Sequence, residues 1–259
     1  MALPRSIASI AGERAVARGG GMITHDAPMS QNETTLIGGR TTLGVVRLGE
    51  TVRRPPTPNL GFVRALLRHL EAVGFDGAPR YLGTDESGRE IYSYIPGVVP
   101  AELGEHDDKT LENAARLIRA YHDATAPLFA TPSAQKVCIE VACHNDLSPC
   151  NTVFRDGHPV AFIDFDAAAP GSRSYDLGYA AWLWLDLGNP DRSTAEQVRR
   201  LRVFLAAYGS GPSEAEVIAA ALERQAILIA EGMRTGNTAM SDWAANCSHW
   251  TRQQMRPAL

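Results

Sequence analysis

The chain has 259 residues, 44% of them hydrophobic, which is enough for one large domain or two small lobes with a sizeable core. Its formal net charge of −4, without any block of lysine or arginine, argues against a nucleic-acid partner. The four cysteines show no metal-site spacing and no stretch is apolar enough to span a membrane, so we expect a cytoplasmic protein with reduced thiols.

The N-terminal third predicts a small, strand-rich unit behind a leader. Residues 1–33 are rich in Gly, Ala, Arg and Ser and lack the apolar core of a secretion signal, so we interpret them as a disordered leader. Short β-type runs at 42–48 and 51–54 flank Gly49-Glu50 in the pattern of a hairpin. A proline-rich linker then leads to a predicted helix over 60–73. Its apolar residues share one face, and Gly74 ends it. They are Val63, Leu66, Leu67 and Leu70.

The following segments complete this unit and begin a helical one. Predicted strands at 81–82 and 90–95 flank a turn at 85–88, and Pro96-Gly97 break the second strand. A helix follows, with apolar residues at helical spacing. These are Leu111, Ala114, Ile118 and Tyr121. Further helices are predicted over 175–187, 194–208, 214–233 and 238–254, and Ser213 with Glu216 forms a capping box. Runs of strands followed by runs of helices predict an α+β fold in two lobes.

Two motifs between these helices carry the chemistry. Residues 144–151 read His-Asn-Asp-Leu-Ser-Pro-Cys-Asn, and residues 163–166 read Ile-Asp-Phe-Asp. The form H-x-D-x-x-x-x-N, followed by an Asp thirteen residues after the Asn, has the spacing of a phosphoryl-transfer site. In such a site Asp146 would take the proton from an attacking hydroxyl, while Asn151 and Asp164 would hold magnesium on the nucleotide phosphates. Asp and Asn also occur in ordinary surface turns, but the full pattern is harder to obtain by chance.

A hairpin between the motifs is expected to aim the two metal ligands. Asp156-Gly157 between two apolar runs predicts a two-residue turn. Counting back from that turn places Asn151 opposite Phe162, with Asp164 as its diagonal neighbour, roughly 7–8 Å away. Magnesium with ligands at about 2.1 Å can bridge such a pair. A register slip of one residue would turn Asp164 to the opposite face.

These residues resemble the catalytic and metal loops of the aminoglycoside phosphotransferase and choline kinase group, which are small-molecule kinases with a protein-kinase-like fold. The resemblance extends from about residue 35 to the last helix. It implies a small β-rich N-lobe with one helix (34–96) for nucleotide binding and a larger, mostly helical C-lobe (97–259) for catalysis and acceptor binding. By that match Asp146 is the catalytic base, Asn151 and Asp164 are the metal ligands, and Asp166 is an additional metal or water contact.

The nucleotide site departs from the group's pattern. Kinases of this type use a small-lobe lysine, usually paired with a helix glutamate, to hold the α- and β-phosphates. The chain has only two lysines, Lys109 and Lys136, and neither lies in the small lobe. We expect Arg53 to replace the lysine, with Arg54 as the second choice, since a guanidinium binds phosphate bidentately. An arginine that merely extends from a strand end is the alternative. No glutamate falls at the matching point of the predicted helix.

Backbone groups are expected to complete the nucleotide site. Residues 93–97 would form the hinge, where Ser93 and Ile95 could hold the edge of the base. Gly39, just ahead of the first strand pair, is placed either as a phosphate contact or as part of a plain turn.

Two further residues are expected to support the catalytic loop. His144 is interpreted as a structural residue that bonds the loop backbone. Asp176 resembles the group's buried Asp that braces the loop, and it also fits a helix N-cap, which is compatible with that role. The last helices carry acids and aromatics that could bind an acceptor, although core tryptophans and solvated acids are the favoured interpretation. They are Trp182, Trp184, Asp186, Glu231, Asp242, Trp243 and Trp250.

The resemblance therefore implies a magnesium-dependent enzyme that transfers the γ-phosphate of ATP or GTP to a small-molecule hydroxyl. The antibiotic kinases of the group suggest an antibiotic or related natural product as acceptor, while choline, a sugar or a homoserine-like metabolite stay open. The partners expected are the nucleotide and the acceptor, with no nucleic acid and no membrane, in a monomer or homodimer.

Three alternatives remain. A kinase-fold nucleotide-binding or immunity protein with little catalysis is favoured by the missing lysine and glutamate. A protein kinase would need a regulated activation segment, but Asp176 follows Asp166 by only ten positions. A metal hydrolase using His144 and Asp146 would need further ligands at fixed spacing.

Overall fold

The computed structural model of the protein describes residues 33–35 and 44–255. Five antiparallel strands form the N-terminal sheet: β1 (Glu33–Thr35), β2 (Val46–Leu48), β3 (Thr51–Arg54), β4 (Tyr81–Thr84) and β5 (Glu90–Ser93). Their order is β1-β2-β3-β5-β4. Both predicted hairpins are present, although β2 and β5 are shorter than the sequence indicates. Apart from Glu33, the leader predicted over residues 1–33 lies outside the described residues.

A single helix, α1 (Leu60–Ala72), connects β3 to β4, and its buried face is the one that the sequence predicts. All four predicted core residues are buried, at no more than 3% exposure. Gly74 adopts φ 75 just after the helix, a conformation that glycine reaches without steric cost. The helix therefore ends where its sequence indicates, with its apolar side turned toward the interior of the protein.

The chain leaves the sheet at the predicted hinge and is immediately attached to the C-terminal part. Val98 and Phe154 exchange two backbone hydrogen bonds, N to O at 2.9 and 2.8 Å. Gly97 adopts φ 154, and a Cβ there would lie 2.4 Å from a methyl group of Val153 and 2.5 Å from the Phe154 carbonyl oxygen. Only a glycine allows the hinge to approach this closely.

The C-terminal part is mostly helical. Its helices are α2 (Asp108–Thr125), α3 (Pro132–Lys136), α4 (Arg173–Leu185), α5 (Thr194–Tyr208), α6 (Glu214–Thr235) and α7 (Thr238–Gln254). Two small antiparallel pairs join β6 (Val141–Cys143) to β9 (Ala169–Gly171) and β7 (Thr152–Arg155) to β8 (His158–Phe162). The predicted core face of α2 and the capping box of α6 are both confirmed. Among the described residues, no helix has the length and apolar character needed to cross a membrane.

The core of this part is built where α4 packs on α6 and α2 packs on α5. Trp182 and Trp184 are each 1% exposed, as expected for core tryptophans. A Cβ on Gly178 of α4 would lie 2.6 Å from the Cβ of Ala220 on α6. The two helices therefore cross with their backbones almost touching, and this brings α6 within reach of the loop that follows β6.

Candidate active site

The catalytic loop, residues 144–151, follows β6 and is held by the carboxylate of Asp176. Its Oδ2 accepts from the backbone amide of His144 and its Oδ1 from that of Asn145, both at 2.8 Å. The N-cap of α4 is Ser172, so the interpretation of Asp176 as the cap of this helix is wrong. Asp176 lies one turn further on, fully buried, and its side chain turns toward the loop.

A buried hydrogen-bond chain extends behind Asp176. Nε2 of His122 lies 3.1 Å from Asp176 Oδ2, and Nδ1 of His122 lies 2.8 Å from the hydroxyl of Tyr208. Burial alone would raise the pKa of Asp176, but the hydrogen bonds from His122 and the His144 amide outweigh it and hold that pKa below its usual value. The loop therefore rests on an ionised, fully hydrogen-bonded carboxylate.

The ring of His144 connects the two motifs. Nε2 lies 3.1 Å from the carbonyl oxygen of Ile163, and Nδ1 accepts from the backbone amide of Asp146 at 3.3 Å. The ring is buried and packs on Phe165 with 4.5 Å between ring centroids. A neutral imidazole with its proton on Nε2 satisfies both bonds. The structure thus places His144 among backbone groups of both loops.

Asp146 lies in the environment of a functional carboxylate. Burial raises its pKa and the charge of Asp164 acts in the same direction, whereas His144, a hydrogen bond from Asn151 and the charge of Arg224 oppose the rise. A buried carboxylate whose pKa is raised, close to a cleft, is a candidate for a catalytic group.

The hairpin that carries Asn151 and Asp164 differs from the prediction by one residue. Arg155 pairs with His158 across the turn, as expected, but a β-bulge between Val153 and Phe154 shifts the register, so that Thr152 rather than Asn151 faces Phe162. The amide of Ile163 then donates to the Asn151 carbonyl at 2.9 Å. Asp164 adopts a left-handed backbone with φ 63, which ends the strand. Despite the shift, Asn151 and Asp164 both line the same cleft.

That cleft, between the sheet and the catalytic hairpin, has a volume of about 300 Å³. Its walls are mostly apolar, and its polar groups gather at one end around Asn151, Asp164 and Asp166. An apolar slot with a few convergent polar groups is typical of a small-molecule site. The apolar lining comes from both parts of the chain and includes Val45, Val52, Val63, Leu67, Val153 and Ile163.

The cation of the cleft is Arg54, and the expectation of Arg53 in this position is wrong. Nη1 of Arg54 lies 3.2 Å from Asp164 Oδ1, and its Nη2 contacts Asp166 Oδ2. Arg53 points away and contacts Asp85 at 3.3 Å. The reason is strand alternation: Val52 and Arg54 face the cleft, and the residue between them must face the other side.

The predicted hinge residues Ser93 and Ile95 both line the cleft. The amides of Ser93 and Tyr94 are used by the carbonyls of Arg80 and Glu50, at 2.9 Å each. The amide of Ile95 makes no hydrogen bond within the described part of the chain. Gly39, predicted to contact phosphate, lies outside the described residues.

The donors at the polar end suit a hard divalent cation. Nδ2 of Asn151 donates to the Asp146 carbonyl at 3.2 Å, which leaves its Oδ1 as a ligand beside the carboxylates of Asp164 and Asp166. Oxygen ligands of this kind fit magnesium, which takes its remaining ligands from water and phosphates. No cluster of three or more His, Cys, Asp or Glu side chains among residues 33–35 and 44–255 could hold a metal by itself, so the metal-hydrolase alternative lacks a ligand set.

Three residues near the loop were not predicted as site residues. Arg224 of α6 donates to the Asn145 carbonyl, Tyr179 of α4 neighbours Asp146, and His122 of α2 contacts Asp176. Tyr179 could have been recognised, because it lies three residues after Asp176 on the same helical face. Arg224 and His122 come from helices distant in sequence and leave no local signal.

The model of the phosphotransferase enzyme family (APH) matches residues 132–218, which contain the loop 144–151, Asp164, Asp166 and Asp176. The chain is also 35% identical over 191 residues to the trifolitoxin immunity protein of Rhizobium leguminosarum bv. trifolii. That alignment covers 66% of this chain and 72% of the relative.

Solved structures show the same fold at low sequence identity. The microcompartment-associated aminopropanol kinase is similar with a TM-score of 0.58 and 14% identity, over 83% of this chain and 89% of that chain. LicA in complex with AMP is similar with a TM-score of 0.52 and 15% identity, over 89% and 95%. The predicted two-lobed, kinase-like α+β fold is therefore confirmed.

Proposed function

The chain belongs to the phosphotransferase enzyme family, and from this premise we propose that it transfers the terminal phosphoryl group of ATP or GTP to a hydroxyl of a small molecule. The observation that supports this most directly is that Asn151 and Asp164 line one apolar cleft, while Asp146 lies next to both, since it interacts with the Asn151 side chain and with the charge of Asp164. Residues 34–96 would bind the nucleotide, and residues 97–259 would supply the catalytic groups and the acceptor site.

Asp146 is the proposed catalytic base. Its carboxylate would accept a hydrogen bond from the acceptor hydroxyl, orient it toward the terminal phosphate and take its proton as the new bond forms. Because little covalent assistance is needed in phosphoryl transfer, most of the rate gain comes from positioning and charge stabilisation. The rigid support of the loop by Asp176 serves that purpose.

Asn151 and Asp164, with Asp166 beside them, would hold Mg²⁺, which when bound neutralises charge on the β- and γ-phosphates. Arg54 contacts both acids from the other side of the cleft and is the proposed phosphate clamp. A guanidinium can hold two phosphate oxygens at once. The amide of Ile95, which has no hydrogen-bond partner among residues 33–35 and 44–255, supports the hinge as the place where the base binds.

The first test is nucleotide turnover in vitro. The protein is incubated with magnesium and either ATP or GTP, together with a panel of hydroxyl-bearing antibiotics and a serine-containing peptide, and phosphorylated products are identified by mass. We expect transfer to a small molecule, and a loss of roughly 10²- to 10⁴-fold in Asp146→Asn. Full activity of Asp146→Asn, or transfer to the peptide alone, would contradict the proposal.

An immunity role is the second candidate, because a relative at 35% identity is an immunity protein. Protection of a host cell could come from phosphorylation of a toxic natural product or from its sequestration with little catalysis. Wild type and Asp146→Asn are expressed at equal levels in a sensitive host, and growth is measured against the antibiotic panel. Loss of protection in Asp146→Asn supports the kinase, whereas unchanged protection supports sequestration.

A further inference from the structure

Arg224, near the middle of α6, is fixed against the catalytic loop by four contacts. Nη2 donates to the Asn145 carbonyl at 2.7 Å, and Nη1 donates to the hydroxyl of Tyr175 at 3.0 Å. The central guanidinium carbon lies 4.2 Å from the ring centroid of Tyr179 and 5.0 Å from that of Tyr175. An arginine held by two hydrogen bonds and two aromatic rings has one orientation, unlike a solvated arginine.

The residue that Arg224 contacts, Asn145, has an unusual backbone. Its φ is 65, in the left-handed region that L-residues other than glycine adopt only at a cost, least for Asn and Asp. Three elements hold it there: Asp176 accepts from its amide, the carbonyl of Ala167 accepts from its side chain at 2.8 Å, and Arg224 donates to its carbonyl. Strained residues persist where surrounding contacts over-determine them, and they concentrate at active sites.

This conformation matters because Asn145 directly precedes Asp146. The dihedral angles of Asn145 set the direction in which the Asp146 side chain leaves the loop, and its carbonyl belongs to the peptide group that joins the two residues. Tyr179 provides a second route, since it stacks on Arg224 and its phenol lies close enough to Asp146 to feel its charge. The phenol is 9% exposed and therefore keeps a fixed position beside the carboxylate.

We propose that Arg224 is a positioning residue that aims the carboxylate of Asp146 by holding the Asn145 carbonyl and the Tyr179 ring. The inference rests on the proposed role of Asp146 as the base of phosphoryl transfer. Arg224 acts through its neighbours rather than on the reacting atoms. A change at Arg224 should therefore slow the chemical step and leave nucleotide binding intact, since the nucleotide cleft is lined by other residues.

The kinetic test uses magnesium-ATP turnover with water as the acceptor. For Arg224→Gln we expect kcat to fall by roughly 10- to 100-fold while KM for ATP stays within about twofold, because a small misplacement of a reacting group costs up to about 10² in rate. Arg224→Lys keeps the positive charge but loses the planar, two-nitrogen geometry of the guanidinium. Its kcat should therefore lie between those of wild type and Arg224→Gln. Guanidinium ion at low concentration should restore part of the rate of Arg224→Ala.

Arg234→Gln is the control. Arg234 lies on the same helix, and among the described residues its side chain pairs only with Glu231 on the surface.

Hydrogen exchange separates a failure of this inference from a failure of the proposed function. In the substrate-free protein, Arg224→Gln should exchange the amides of residues 144–151 faster than wild type and than Arg234→Gln, while the amides of α2 stay protected. If the wild type transfers phosphate neither to water nor to any acceptor of the panel, the proposed function fails, and faster loop exchange in Arg224→Gln still supports the positioning role. Unchanged loop exchange, or an unchanged kcat in an active enzyme, overturns it.

Discussion

Replacing the two neighbouring arginines of β3 one at a time tests the proposal that Arg54, and not Arg53, clamps the nucleotide phosphates. Arg54→Met removes the only cation that the described residues place at the polar end of the cleft. A hydrogen bond to a charged group contributes about 1.5–3 kcal/mol, so loss of one such bond to a phosphate should weaken magnesium-ATP binding by roughly 10- to 150-fold. The paired acids keep 25% and 29% of their side-chain surface exposed, so the free energy of unfolding should change by no more than about 1 kcal/mol.

Arg53→Met is the matched control, because it removes the same group one residue away. Arg53 contacts Asp85 at 3.3 Å, and Asp85 keeps a shorter contact with Arg89, at 2.8 Å. Because Arg53 does not line the cleft, we expect ATP affinity to stay within about twofold of wild type. The free energy of unfolding should also change little, since the ion pair of Arg53 is partly exposed. Both variants are titrated with magnesium-ATP in a calorimeter and unfolded in urea. Equal losses of affinity, or a larger loss in Arg53→Met, would refute the assignment of Arg54 to the cleft.

Three further predictions concern the helical part and the thiols. Replacing His122 by Leu removes a partner from a buried carboxylate and should lower the unfolding free energy in urea by about 3–5 kcal/mol; an unchanged midpoint would contradict this. Gly178→Ala inserts a methyl group between two touching helices and should lower the free energy of unfolding by about 1–3 kcal/mol. In Gly61→Ala the new methyl group has no atom within 4 Å, so this change should stabilise α1 by up to about 1 kcal/mol. Thermal unfolding of both variants measures the difference. Iodoacetamide at about pH 8 should alkylate the exposed Cys138 well before Cys247, whose pKa burial raises to about 12 so that the thiol stays protonated; equal rates by mass spectrometry would refute this.

The helices were predictable because their signals are local. Residues 194–208 and 238–254 match the observed bounds of α5 and α7, and Ser213 with Glu216 marks the start of α6 through a capping box that both side chains complete. Apolar spacing of 3.6 residues and a polar cap act within one turn, so they can be recognised without knowledge of the tertiary fold.

The register of the catalytic hairpin was predictable only near its turn. The Asp-Gly turn fixes the pairing of Arg155 with His158, but one inserted residue in the ladder shifts everything beyond it. Pro159 is compatible with a bulge or with an edge strand, so it does not by itself predict the shift. The sequence also does not predict the left-handed backbone of Asp164, although Asp is among the residues that tolerate this conformation.

The sequence did contain the information needed to choose between Arg53 and Arg54 as the cation of the cleft, because it shows which residues of β3 share a face. Alternation along β3 places Val52 and Arg54 on the same side, and a strand end that lines an apolar cleft is expected to turn Val52 inward. By contrast, the contact between Arg224 and the Asn145 carbonyl joins residues 79 apart through a helix crossing that depends on Gly178. Such a contact depends on the packing of α4 on α6, and no pattern among neighbouring residues predicts it.

The cleft cation has a practical consequence for detecting this protein. Some reagents detect kinases by acylating a primary amine next to the nucleotide phosphates, and they need a lysine there. In this chain the cation of the cleft is Arg54. Both lysines of the chain lie beyond the hinge, on α2 and α3, and neither lines the cleft. If the cleft binds a nucleotide as proposed, a chemical survey that recognises kinases by labelling such an amine would pass over this chain, whereas a dicarbonyl reagent, which reacts with guanidinium groups, would modify Arg54.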